Sequence, residues 1–289
     1  MNQLRAVVGG FLALAILAVS SGRAEIPPED LARIRAAAPF DAPAKPKKPR
    51  KLLVFSLASE YRHQSIPWGA EAFRILGEKN GAYRAILSDD PAMFDRDKLA
   101  TFDAVLFNNN CGNPVKDPAR RKNFLEYVRS GRGLIGIHCA AHLDWPEYTE
   151  MLGAYSISHP WNTGSTVTVK LDDPGHPVVA CFARSSFLHT DEIFEFRDYS
   201  RDKLRVLLSL DTDRTDMTVP GITRKDGDFG LSWVRSYGQG RVFYCEFGHQ
   251  KDVYWRPVIL KHYLAGIQFA LGDLEADTTD SQGTKGQRR

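Results

Sequence analysis

Three apolar runs in this chain end on side chains that carry or accept protons. Residues 51–57 are followed by Ser59-Glu60-Tyr61-Arg62-His63, and 103–107 by Asn108-Asn109-Asn110-Cys111. The run 133–137 leads directly into His138-Cys139-Ala140-Ala141-His142. Histidine recurs in three short polar contexts: Ser158-His159-Pro160-Trp161, His189-Thr190-Asp191-Glu192 and Gly248-His249. Imidazole suits proton transfer near neutral pH, and three neutral imidazoles with a carboxylate also suit a divalent transition metal. No close-spaced ligand pair of the HExxH kind is present, so spacing alone does not choose between these chemistries. Asp191 and Glu192 are adjacent, and on an extended strand they would face opposite sides. At most one then faces a given pocket, and Glu192 is the better acid-base candidate if His189 lines the site. His176, in an Asp-Pro-Gly-His-Pro turn, and His262, near the end of the chain, read as structural.

The turn Gly136-Ile137-His138-Cys139-Ala140 has the outline of a nucleophile elbow, in which a sharp turn after a buried strand exposes one side chain. A cysteine nucleophile would stand two places after the glycine. His138 stands there, Cys139 comes one place late, and Ala140 replaces the second glycine. An amidase or thiol hydrolase using Cys139 is therefore the weakest reading. Tyr61, Trp68, Trp145, Trp161, Tyr254 and Trp255 lie in or near the same loops as Asn109 and Asn110. Aromatic faces with amide and imidazole groups suit a polyol, whose C–H faces stack and whose hydroxyls hydrogen-bond.

The elements that must position these groups follow from the hydrophobic pattern. Residues 51–57, 82–87, 103–107 and 133–138 read as strands. Ser65 is placed to cap a helix over 66–79, and Asp117 with Pro118 opens another that runs to 128. Strand and helix alternating with short connections predict βαβ units and a parallel sheet. The second half predicts strands at 166–171, 193–197, 204–210, 231–236 and 241–247. Gly238-Gln239-Gly240 is a hairpin turn, and 257–271 a closing helix. The expectation is one α/β domain with an antiparallel extension. In an open parallel sheet, ligands bind beyond the carboxyl ends of the strands, where most of the histidines fall.

Composition agrees. The 289 residues are 43% hydrophobic and 25% charged, which excludes a disordered, collagen-like or multi-span membrane protein. A formal charge of +3 argues against a dedicated nucleic-acid binder. Residues 1–24 have the form of a secretory signal: Arg5, an apolar stretch over 6–19, then Gly22-Arg23-Ala24. That stretch is shorter than the roughly 20 residues of a bilayer span. We expect export to the periplasm or beyond, with no membrane span after cleavage. Losing Arg5 and Arg23 leaves 36 basic and 35 acidic residues, or +1. Residues 25–50, rich in Pro and Lys, read as a leader; 51–271 as the domain; 272–289 as a disordered tail. The four cysteines include no CxxC pair, and Cys139 and Cys245, within strand-like runs, read as buried free thiols.

Taken in order, these motifs resemble the trehalose-utilisation (ThuA-like) family. The resemblance rests on Tyr61-Arg62-His63, the run Gly131 to His138, Ser158-His159-Pro160 and His189-Thr190-Asp191-Glu192. It continues through Ser232-Trp233, the run Tyr237 to Tyr244, Gly248-His249 and Gly266-Ile267-Gln268-Phe269-Ala270. Phe194 and Phe269 stand where tyrosine and tryptophan are common, and both keep an aromatic ring. The resemblance implies a flavodoxin-like, class I glutamine amidotransferase-like three-layer sandwich whose elbow has lost its cysteine, in keeping with His138. It also implies a carbohydrate-active enzyme on keto-sugars or disaccharide glycosides, working through an enediolate. Under that reading His138, His159 and His189 are electrophiles or ligands to a divalent metal, which the sequence leaves open as a cofactor. Glu192 or Asp191 is the acid-base group, and Arg62, His63, Asn109, Trp161 and His249 contact substrate. The partner is a small carbohydrate; a homo-oligomer is left open. The alternative is a non-catalytic carbohydrate-binding protein of a sugar-degradation system.

Overall fold

The computed structural model describes residues 26–183 and 185–280. The signal-like segment 1–24 and residues 281–289 lie outside them. The described chain runs α1 (Pro28–Ala37), β1 (Lys51–Phe55), α2 (Ile66–Asn80), β2 (Arg84–Ser88), α3 (Arg96–Leu99), β3 (Ala104–Asn108), β4 (Cys111–Gly112), α4 (Pro118–Arg129) and β5 (Gly133–Ile137). It continues with β6 (His142–Leu143), α5 (Pro146–Leu152), β7 (Tyr155–Trp161), β8 (Thr166–Leu171), β9 (Phe187–Thr190) and β10 (Ile193–Arg197). Last come β11 (Arg205–Leu210), β12 (Gly230–Tyr237), β13 (Gly240–Cys245) and α6 (Pro257–Leu271).

Nine strands form one sheet in the order β2-β1-β3-β5-β13-β12-β11-β8-β9. The first five are mutually parallel, and the rest add on antiparallel. The order 2-1-3-5 is that of a flavodoxin-like doubly wound sheet. β3 and β5 are buried at every residue, as their unbroken apolar runs require. Residues of α1, α2 and α6 cover one face, including Ile34, Phe73 and Leu264; residues of α4 and α5 cover the other, including Phe124 and Leu152. The result is a three-layer sandwich. Among the described residues, no helix is long and apolar enough to cross a membrane. All four cysteines are free.

The pattern left out β7, β9 and α5, along with the very short α3, β4 and β6. β7 mixes buried and exposed positions without clean alternation, so its period-2 signal is weak. It pairs with β10 through shifted registers, and this ribbon brings His159 and Glu192 over the sheet. Ser65 does not cap α2 with its side chain; its hydroxyl donates instead to the Gly248 carbonyl at 2.8 Å. Asp117 does cap α4, accepting from Ala119 N at 2.8 Å.

The leader and the start of the tail belong to the folded body, correcting the expectation of a linker and disorder. On α1, Ile34 is fully buried and Asp30 accepts from the Trp68 indole at 3.0 Å. Gln268 bonds both the N–H and the C=O of Ala44. Asp273 is buried and accepts from Lys47 N and the Arg50 guanidinium. Asp277 pairs with Arg205 at 2.9 Å. Polar composition hid these segments because their apolar anchors, such as Ile34 and Leu274, are few and scattered among hydrogen-bonded and charged ones.

Candidate functional site

The site forms where β1, β3, β5 and β13 end. β5 delivers His138 in the left-handed region, at φ 49°, so the elbow foreseen at this turn is a histidine elbow. Its tightness needs Gly136, where a Cβ would lie 2.9 Å from Leu152 Cδ1 and 3.1 Å from Tyr244 Cδ2. The His138 ring is fixed: Nδ1 donates to the Glu246 carbonyl at 2.7 Å, and the ring stacks on Phe194 at 4.4 Å.

β13 leads through Gly248 to His249. Gly248 has φ 152°, and a Cβ there would meet Tyr254 Oη at 2.8 Å and His138 Cβ at 3.1 Å. Glycine therefore lets this loop pass against the elbow. The loop is braced from behind. Ser65, Asn109 and Tyr254 all donate to the Gly248 carbonyl. Asp191, wholly buried, accepts from Gly248 N at 2.8 Å and Gln250 N at 3.0 Å. Burial pushes the Asp191 carboxyl up, but its His189 partner and the backbone donors outweigh that and hold it low.

Glu192 points the other way, from the two-residue connection between β9 and β10 rather than from a strand as expected. Its Oε1 is 3.6 Å from His138 Nε2, and its Oε2 is 3.4 Å from His249 Nδ1 and 3.7 Å from His159 Nδ1. Burial favours a neutral carboxyl, yet His138 and His249 hold Glu192 well below the usual carboxylate range. His249 is raised in turn: Glu192 outweighs its burial. His63 completes the group, edge-on to His138 at 4.9 Å and to His249 at 5.0 Å. Burial, then the neighbouring histidines, lower His63 to about 2, so its ring is neutral and its free nitrogen is available as a lone-pair donor.

The cluster forms the floor of a cavity of about 780 Å³, within the usual size range of small-molecule pockets. His63, Glu192 and His249 reach it from below; Tyr61, His159 and Asn162 stand at its rim; Cys111, Cys139 and His142 line another wall. Tyr61 is 60% exposed, so its ring can stack on a ligand.

The fold thus gathers five of the expected residues: His63, His138, His159, Glu192 and His249. The others are placed elsewhere. His189 lies behind the site, its Nε2 3.6 Å from Asp191 and its ring against Phe247. Asp191 and Asn109 are scaffold, as described. Trp161 is core, with its indole donating to the Asp216 carbonyl at 3.0 Å. Arg62 is exposed and is absent from the cavity lining. The expected ligand trio is accordingly split. His138 is in the cluster, His159 sits at the exposed rim, and His189 faces away, while His63 and His249, expected to touch substrate, close the group. Cys139 is a buried thiol pushed well up by its hydrogen bond with Cys111 and by burial, which disfavours a thiolate nucleophile. Glu60, Cys111 and His142 form a second small group that the sequence reading did not assign. Glu60 lies beyond the end of β1 and His142 opens β6 just past the elbow after β5, and that strand-end placement is the signal that would have found them.

A family model described as trehalose utilisation (ThuA) matches residues 51–270. Among solved structures, a ThuA-like protein of Bacteroides uniformis superposes with a TM-score of 0.63 at 22% identity, over 78% of this chain and 93% of that one. A ThuA-like protein of Parabacteroides merdae gives 0.57 at 18% identity, over 80% and 93%. No curated protein matches.

Proposed function

This chain belongs to the trehalose-utilisation (ThuA) family, and on that premise we propose that it is an exported carbohydrate-active enzyme acting on keto-sugars or disaccharide glycosides by acid-base chemistry. The cavity carries the reading. A ring-sized space floored by imidazoles and one carboxylate, with an exposed Tyr61 and Asn162 at its edge, offers stacking, hydroxyl recognition and proton transfer together.

A ketone acidifies the neighbouring C–H. His159, 54% exposed at the rim with Glu192 3.7 Å away, takes that proton, and the C–H electron pair moves into an enediolate. The buried imidazole face meets the negative oxygen that results. Return of the proton at the adjacent carbon isomerises the sugar. Expulsion of the glycosidic oxygen, protonated by the same imidazole, cleaves the bond. The Asp191 carboxylate takes no part, since both of its oxygens hold the Gly248 loop.

The test is turnover of 3-keto-disaccharides followed by mass spectrometry, with the parent disaccharides as controls. The expected result is product from the keto form alone, lowered about 100-fold in His159→Gln. No product from any 3-keto-disaccharide would end the enzymatic reading. A second reading, carbohydrate binding without catalysis, is favoured by the elbow, where His138 replaces a nucleophile. Calorimetric binding of these sugars without product would establish it. Export rests on residues 1–24 and predicts a mature protein beginning at Glu25, read by N-terminal sequencing of the secreted fraction.

A further inference from the structure

The histidine cluster has a property that acid-base chemistry leaves unexplained. Among its buried side-chain atoms, His63 Nδ1, His138 Nε2 and His249 Nδ1 have no hydrogen-bond partner. Leaving a buried polar atom unpaired is destabilising, so three together at one point call for a common partner. The tautomer of His138 says which kind. Its Nδ1 faces a carbonyl at 2.7 Å, and a carbonyl only accepts, so Nδ1 carries a proton and is the protonated nitrogen whenever the ring is neutral. In that form Nε2 presents a bare lone pair to the cluster. A backbone carbonyl holding the far nitrogen of an imidazole is the arrangement that orients a metal-binding histidine.

The spacing fits. Ligand atoms about 2.1 Å from a tetrahedral ion stand about 3.4 Å from each other. Glu192 lies 3.6 Å from His138 Nε2 and 3.4 Å from His249 Nδ1, and one ligand atom from each of the four residues falls within 4.8 Å of the others. We propose that His63, His138, His249 and Glu192 hold one divalent first-row transition-metal ion at the floor of the cavity. Three imidazoles and a carboxylate, without thiolate, suit zinc or a neighbour in that row over calcium or magnesium. His63, Glu192 and His249 reach the cavity wall, so a ligand's oxygen would approach the ion from the cavity as a fifth donor, and the ion would act on it as a Lewis acid. The inference adds to the carbohydrate reading and does not need it.

The full chain, stripped with a chelator and dialysed, is titrated with Zn²⁺ and with Co²⁺ by calorimetry in the absence of sugar. One ion per chain is expected, with affinity lowered at least about 10-fold in both His249→Ala and Glu192→Gln. Zinc should raise the melting temperature of the wild type but not of the variants. Far-ultraviolet circular dichroism of the metal-free variants establishes that they fold. The proposal is overturned if the folded wild type binds neither ion. It is also overturned if binding survives in the His249→Ala, Glu192→Gln double variant, or is lost instead in Glu60→Gln with His142→Ala. A stoichiometric site in a protein inactive on every 3-keto-disaccharide supports this inference while ending the enzymatic reading.

Discussion

Buried histidines occupy two regions of this molecule under opposite conditions. Behind the sheet, His262 on α6 has Nδ1 against the Val178 carbonyl at 2.9 Å and Nε2 against the Ser232 hydroxyl at 3.0 Å. His176 is satisfied in the same way, by Val178 N and the Asp277 carbonyl. At the carboxyl ends of the strands, His63, His138 and His249 each keep one buried nitrogen without a partner. Burial and residue type are shared; hydrogen-bond satisfaction is not, and His189, whose Nε2 is also unpartnered, stands apart from the cluster beside Asp191. A satisfied imidazole is part of the fold's own accounting, whereas converging unsatisfied ones point to something the chain is built to hold.

The largest expected effect that tests this contrast is catalytic. Glu192→Gln keeps the shape but removes the charge facing three imidazoles. Turnover of a 3-keto-disaccharide should fall about 100- to 10,000-fold with circular dichroism unchanged. An active Glu192→Gln protein would break the comparison at its functional end. Next is His262→Leu, which leaves the Val178 carbonyl without its donor; urea unfolding should show a loss of about 1–3 kcal/mol.

The pH dependence of the same residue is the third effect. Burial lowers His262 to about 4, below the ordinary imidazole value of about 6.5. Its contribution is therefore complete above the unfolded value. It is lost as pH falls, because the unfolded chain takes a proton that the folded ring refuses. Between about pH 7.5 and pH 5 that difference is about 2 kcal/mol, so His262→Gln should show a correspondingly flatter stability profile in urea titrations.

The smallest effect is the sharpest discriminator. His63→Leu removes an unpartnered buried nitrogen, so the metal-free protein should change in stability by less than about 1 kcal/mol, and a gain is acceptable. If His63→Leu destabilises as much as His262→Leu, the two regions are alike after all. Both are read by denaturant unfolding in excess chelator.

Much of the scaffold was legible from periodicity. Residues 133–137 and 257–271 announce a buried strand and a helix, and the structure has β5 and α6 there. Glu192 and Asp191 do face opposite sides, as expected for a strand, although both lie in the connection between β9 and β10. Asn109 and Trp161 were not separable from ligand-binding residues, since an amide in a strand-end loop looks the same whether it faces a cavity or braces Gly248. His189 misled for a related reason: its neighbour Asp191 is a scaffold carboxylate, and it faces that residue rather than the cavity. The leader and tail were missed because hydrogen bonds such as that of Asp273 to Lys47 N leave no periodic trace.

By itself, the sequence determined which residue types stand at the ends of which strands, because strand length and the hydrophobic period are local properties. The tertiary structure alone decided that His63, His138, Glu192 and His249 meet. They come from four separate connections, brought together by the 2-1-3-5-13 strand order and by a glycine loop that fits against an elbow. Convergence of that kind depends on which strands become neighbours and how closely backbones approach, and neither is written in any single segment.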